Sequence, residues 1–348
     1  MRNFNRNKKH LAVKVLNIAI ILSLALPLVP SQASTAKVPT SDAVIGDLNL
    51  EGDPEFDSDS ISNSDPNQWR WLSYPGSRLV FNPETINSPI PLNLSLKLGF
   101  WVGNDRLVLD DIWNIKVAPT EGEASEATSA SSTWYPYRIA YSADYAEPSG
   151  THVTGYDFFY DVNSFIRVVE VNGSTSKDLI VNGTIAGNEG GQWLSEDKVI
   201  LVSDSKYYYA IRVVGLSGED LQPVELETPP TLEGSTWTMR IPYGDETGLV
   251  GVSFGFATRS EGQAKAILRA KQALSLSVAD SLTNTKFNWD MLLKEVPSPA
   301  IWGINSVPDY GVTPEQHRRN YYAAWAFLLS NLTEILPDLE YQYPYPQV

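Results

Sequence analysis

The chain has 348 residues, and 26 basic against 41 acidic side chains leave a net charge of −15, which argues against nucleic acid or an anionic membrane as partner. A hydrophobic fraction of 43% with ten Trp is that of a chain that buries a large core, and the length suits two domains rather than a disordered polymer. The lack of cysteine excludes a disulfide scaffold, a thiolate metal centre and a cysteine nucleophile. His10, His152 and His317 are too far apart in sequence for a local ligand motif, so no metal or other cofactor is expected.

Residues 1–33 read as a signal peptide. Arg2, Arg6, Lys8, Lys9 and Lys14 make a positive start, Leu16 to Val29 an apolar core, and Ser31-Gln32-Ala33 a small-residue cleavage site. An uncleaved membrane anchor is the competing reading, but the core is short and Pro27 and Pro30 break it. A secreted chain without cysteine points to a bacterial source. Residues 34–66, rich in Ser, Asp, Pro and Gly, read as a disordered acidic linker. Its Asp57, Asp59, Asp65 run lacks the Gly and terminal Glu of a calcium loop.

Residues 67–258 alternate apolar and polar side chains over short runs bounded by turn residues, the signal of half-buried strands. Leu92–Trp101, Trp134–Tyr141, Phe165–Val171, Tyr207–Val214, Thr236–Ile241 and Val250–Phe256 are the clearest. Asn172-Gly173 and Asn182-Gly183 read as tight hairpin turns, and Glu121–Ser132 as a surface loop. With no helical pattern between them, these strands predict antiparallel sheets packed face to face. Trp69, Trp71, Trp101, Trp113, Trp134, Trp193 and Trp237 read as core residues, with a sugar-stacking platform as the alternative. The Tyr207-Tyr208-Tyr209 run, pointing to both faces of a strand, is expected to expose at least one ring.

Residues 259–300 read as linker helices. A helical stretch starts at Ser260, breaks near Asn284, and ends before Pro297 and Pro299. A second helix starts with Thr313 as N-cap, Pro314 in the first helical position and Gln316 completing a capping box. It is expected to run to about Leu336, before Pro337. Tyr321 to Leu329 carries no charge, so this helix should be buried all round. Only twelve residues follow Leu336, too few to cover it, so the sequence reads as cut short.

Three stretches are familiar. Trp289-Asp290-Met291-Leu292-Leu293-Lys294-Glu295-Val296-Pro297 and Gly311 through Trp325, with the closing Tyr343-Pro344-Tyr345-Pro346-Gln347-Val348, resemble six-hairpin glycosidases, nearest to glycoside hydrolase family 63 and its bacterial mannosylglycerate-hydrolase-like relatives. The resemblance implies a mainly β fold, a large antiparallel β super-sandwich, followed by linker helices and the first helix of a truncated (α/α)6 barrel over residues 301–348. It also implies inverting hydrolysis of α-glycosidic bonds in carbohydrate, with an acid and a base held roughly 6.5–9.5 Å apart. In that family both carboxylates would lie beyond Val348. Asp290, Glu295, Glu315 and Glu334 sit beside prolines, caps or solvated faces and are not expected to be catalytic. Tyr343 and Tyr345 are the candidate sugar-stacking residues, with packing against the sandwich as the alternative for each.

Other chemistry is absent from the motifs. Gly251-x-x-x-Gly255 lies inside a strand pattern rather than in a phosphate loop, no Gly-x-Ser-x-Gly elbow occurs, and His152 and His317 have no visible triad partners. Beside the glycosidase reading stands a freestanding secreted carbohydrate-binding or surface-adhesion sandwich.

Overall fold

Short alternating runs can pair only side by side, and in the computed structural model they do so antiparallel throughout. It describes residues 57–62, 72–75, 79–83, 98–102, 105–109, 114–119, 127–146, 150–173, 177–184, 190–203, 205–233, 236–243, 248–298, 313–330, 332–333 and 345–346. The expected signal peptide and most of the linker lie outside those residues.

Strands β1 (Leu72–Ser73), β2 (Leu79–Pro83), β3 (Leu98–Val102) and β4 (Asp105–Leu109) form a four-stranded meander. After β5 (Asn114–Pro119) come β6 (Ala127–Tyr135), β7 (Arg138–Tyr145), β8 (Thr151–Asp161) and β9 (Ser164–Asn172), each paired with the next from β6 onward. The chain continues with β10 (Lys177–Thr184), β11 (Gly190–Leu194), β12 (Val199–Ser203), β13 (Tyr207–Ser217) and β14 (Gln222–Val224). It closes this part with β15 (Thr231–Glu233), β16 (Thr236–Tyr243) and β17 (Gly248–Thr258). The large sheet has the order β11-β12-β13-β17-β9-β8-β7-β6, with β14 on β13, and a second four-stranded sheet runs β15-β16-β10-β5. This is the mainly antiparallel β architecture that the alternation predicted, with the large sheet that the resemblance implied.

Register assigns the two faces of the large sheet. One face carries Tyr141, Val153, Phe159, Phe165, Val169, Tyr209, Val252 and Phe254, all buried. In a strand with period two, such a set means that whole face is turned into the core. Within it, Asp157 and Arg167 stand opposite each other and are joined by two bonds, Nε to Oδ1 at 2.7 Å and Nη2 to Oδ2 at 2.9 Å. Gly155 leaves room beside them: a Cβ there would come within 2.6 Å of the Tyr141 ring.

The other face is covered in part by helices α1 (Gln263–Ala273) and α2 (Val278–Lys294). Helix α1 seats Ala266 and Ala270 so close to the strands that a Cβ on Gly255 would meet Ala266 O at 2.3 Å and Ala270 N at 2.4 Å. Ser253 Oγ donates to Ala270 O at 2.7 Å, and Arg212 donates to Lys271 O and Leu274 O at the helix end, satisfying carbonyls that a helix end leaves without partners. So the Gly251-x-x-x-Gly255 spacing makes a small-residue seat for a helix. Helix α2 is N-capped by Ser277, whose Oγ accepts from Asp280 N and donates to Asp220 O.

Several expectations are corrected by these pairings. Trp134–Tyr141 is the turn of the β6–β7 hairpin, with Pro136 and Tyr137 at its tip, not one strand. Residues 127–132 of the expected loop are strand β6. Asn172-Gly173 leads out of β9 toward β10 in the other sheet, and Asn182-Gly183 lies inside β10 with Gly183 opposite Trp237. The helical break falls at 274–277, and Asn284 is inside α2. The helical stretch begins at Gln263 rather than Ser260.

Helix α3 spans Pro314–Ser330 and begins with the expected capping box, Gln316 N donating to Thr313 Oγ1 and Thr313 N to Gln316 Oε1. It ends at Ser330, not near Leu336. The Ser330 carbonyl accepts from Ser73 Oγ, its hydroxyl donates back to Ala326 O, and β18 (Leu332–Thr333) follows, paired with β19 (Tyr345–Pro346). The helix is also not buried all round: Tyr322, Trp325, Ala326 and Ser330 are buried, while Ala324 and Phe327 are exposed. A stripe at three- and four-residue spacing is the mark of a helix with one covered side.

Candidate functional site

Of the aromatic residues weighed for sugar stacking, two are shown to be core residues. Trp134 and Trp237 are buried and Trp193 is half-buried, while Trp69, Trp71 and Trp113 lie outside the described residues, as does Tyr343. Tyr345 stands in β19 opposite Thr333. None of the three consecutive tyrosines is fully exposed: Tyr207 and Tyr209 are core residues, and half-buried Tyr208 is stacked on by Arg259, 4.3 Å from its centroid, whose Nη1 also donates to its hydroxyl at 2.7 Å.

Of the acidic run before the sandwich, Asp57 and Asp59 stand beside Lys286, and Asp65 lies outside the described residues. Residues Ser58–Ile61 form a 3-10 turn with Ile61 buried. Asp57, Asp59 and Asp290 gather around Lys286, with Nζ at 3.6, 3.3 and 2.8 Å from their oxygens. Burial works against the Lys286 charge, but hydrogen bonds and attraction from Asp290 and Asp59 outweigh it and raise its pKa. Asp290 also accepts from Ser58 N and Oγ. Among the described residues no group of three or more His, Asp or Glu is placed to hold a metal ion. Glu295 and Glu315 are exposed, and Glu334 is outside the described residues.

A polar field is left on the helix-side face where α1 and α2 do not reach, over β6–β9. Register puts Ser129, Asp144, His152 and Asn172 in one row across four strands, and Ser131, Ser142, Thr154 and Glu170 in the next. Ser129 Oγ donates to Asp144 Oδ2 at 2.8 Å, and His152 Nδ1 lies 2.7 Å from Asp144 Oδ1. A carboxylate accepts only, so Nδ1 carries the proton and Nε2 is left as the acceptor. Ser142 Oγ stands 3.4 Å from that Nε2. The His152 bond, then the Ser129 bond, hold the Asp144 carboxyl below its ordinary 3.8. Beside this chain Thr154 Oγ1 and Asn172 Nδ2 both donate to Glu170, each at 3.3 Å. One row further, half-buried Tyr156 has its phenol pushed up to about 12 by burial, with Arg138 opposing and Glu170 reinforcing.

The field is therefore a hydrogen-bonding surface with one imidazole whose free nitrogen faces a hydroxyl. Sequence reading left His152 without partners, because its partners come from a neighbouring strand: Asp144 directly opposite and Ser142 on the diagonal. The signal present in sequence was only Ser-x-Asp followed by His in a second alternating run.

No family model matches the chain, and no curated protein does. Among solved structures it is similar to a protein described as a kojibiose phosphorylase from the human microbiome, at 9% identity and a TM-score of 0.46 over 70% of this chain and 38% of that one. It is also similar to a family GH92 α-mannosidase from Bacteroides thetaiotaomicron, at 11% identity and a TM-score of 0.41 over 78% and 39%. A heparinase III shares 11% identity at a TM-score of 0.35 over 53% and 33%. The chain thus spans about two fifths or less of the carbohydrate-active enzymes it is similar to, and its fold class rests on its own strand order. No helix among the described residues is long and apolar enough to cross a membrane.

Proposed function

We propose that this chain supplies the super-sandwich of an exported glycoside hydrolase that cleaves α-glycosidic bonds with inversion, as its likeness to family 63 implies. The observation that carries the reading is the order of parts. A large antiparallel sandwich is followed by two helices docked on its outer face, then by a capped helix, and the last two helices hold the stretches that resemble the family's passage into its barrel. Export rests on the sequence of residues 1–33. In this reading the sandwich holds the chemistry in place rather than performing it, since Asp290 is spent on Ser58 and Lys286 and Glu295 and Glu315 face water.

The open field of Thr154, Glu170, Asn172 and Tyr156 favours a second reading, a carbohydrate-binding module without chemistry, because paired donors and acceptors beside a phenol ring suit sugar hydroxyls. One experiment separates the two: incubate the protein purified from its native source with α-linked disaccharides and follow the first product by proton NMR. Initial release of the β-anomer supports an inverting glycosidase. Saccharide binding by calorimetry without cleavage supports the module, and neither binding nor cleavage sinks both.

A further inference from the structure

We propose that Ser142, His152 and Asp144 form a serine acyl-acceptor site on the open sheet face, taking small acyl esters. The inference is independent of the glycosidase reading. It rests on three placements that register enforces together. Asp144 is orienting, since it is held from one side by Ser129 Oγ and receives His152 Nδ1–H from the other. His152 is the base, because that bond fixes its tautomer and turns Nε2 toward a hydroxyl. Ser142 is the nucleophile, half-buried, with Oγ 3.4 Å from Nε2, the loose end of the reach that such pairs show without substrate. The side chains of His152 and Asp144 are 43% and 61% exposed, so an ester can approach from solvent.

The step balances without a further reactant but water. Ser142 Oγ attacks the ester carbonyl as His152 Nε2 takes the hydroxyl proton. The bond from carbonyl carbon to alkoxy oxygen then breaks, and the alcohol leaves with that proton. Water, deprotonated by the same nitrogen, attacks the acyl carbon, and Ser142 is released with a carboxylic acid. Because β7 and β8 are paired on both sides, their N–H groups are committed to the ladder and none is free to hold the oxyanion. The site is therefore limited to esters with good leaving groups, and its turnover is slow.

The test uses the whole protein and a fluorophosphonate, in which Ser142 Oγ replaces fluoride on phosphorus, read by peptide mass spectrometry. An adduct on Ser142 is expected, lost on prior denaturation in urea. His152→Ala should slow its formation about a hundredfold, the effect of removing a general base, and Asp144→Asn should slow it less. His152→Gln serves as a second variant if the alanine protein melts differently. The burst of p-nitrophenol from p-nitrophenyl acetate should vanish in Ser142→Ala. No adduct on Ser142, an adduct that forms equally in denatured protein, or a rate unchanged by loss of His152 would each overturn the proposal.

Discussion

The outer face of the large sheet is two surfaces made from one set of strands. Along β17 the side chains of this face are small, Gly251, Ser253, Gly255 and Ala257, with Ala210 of β13 beside them, and a helix lies almost on the backbone. Over β6, β7 and β8 the corresponding positions are Ser129, Ser131, Ser142, Asp144, His152 and Thr154, and the face is open. The inward face beneath both is mostly apolar and aromatic, with the Asp157–Arg167 ion pair and the hydroxyls of Ser132, Thr151 and Thr258 buried in it. The side chains, not the backbone, thus decide which half of the sheet receives a helix and which is left for chemistry.

Breaking the inward face should cost most. Asp157→Asn leaves the Arg167 charge buried without a counter-ion, and about 3–5 kcal/mol of stability should be lost in urea unfolding. The same carboxyl gives a pH signature. Burial, only partly offset by Arg167, raises its pKa from 3.8 to about 6. Proton binding thus favours the folded state, so its contribution is fully present below about pH 4 and is lost as pH rises through 6. The slope between those values should be absent from the Asn variant, and an unchanged slope would assign it to another group.

The helix-covered half comes next. Gly255→Ala pushes a Cβ into the α1 backbone, which cannot give way as a flexible side chain would, and about 2–3 kcal/mol should be lost; equal melting of the two proteins would show that α1 is not seated there. Arg212→Met removes the donors to Lys271 O and Leu274 O and should cost about 1–2 kcal/mol by thermal denaturation. The smallest effect belongs to the open half. Ser142→Ala and His152→Ala should alter stability by less than about 0.5 kcal/mol, and a larger loss would mean that those groups hold the sheet together.

Strand runs with strict alternation were legible from sequence. Phe165–Val171, Tyr207–Val214, Thr236–Ile241 and Val250–Phe256 all lie within strands, and the Thr313–Gln316 box starts its helix as read, because these signals are local. What failed depended on partners distant in sequence. Asn182-Gly183 has turn chemistry, yet Gly183 is held in β10 by pairing with β16, and the ladder overrides a two-residue preference. The Trp134–Tyr141 alternation continues through a turn, so no break in pattern marked Pro136 and Tyr137. The polar field was invisible for the same reason, since Asp144 and His152 become neighbours only once β7 and β8 are in register.

Strand β6 ends the described order of the large sheet, and its sequence Ala-Thr-Ser-Ala-Ser-Ser-Thr carries hydroxyls with a register shift between Ala127 and Ser129. A long flat rim of unmet amides invites a stranger's strand, and aggregation starts there. The register shift and the hydroxyl fringe of β6 make it a poor template for such a strand.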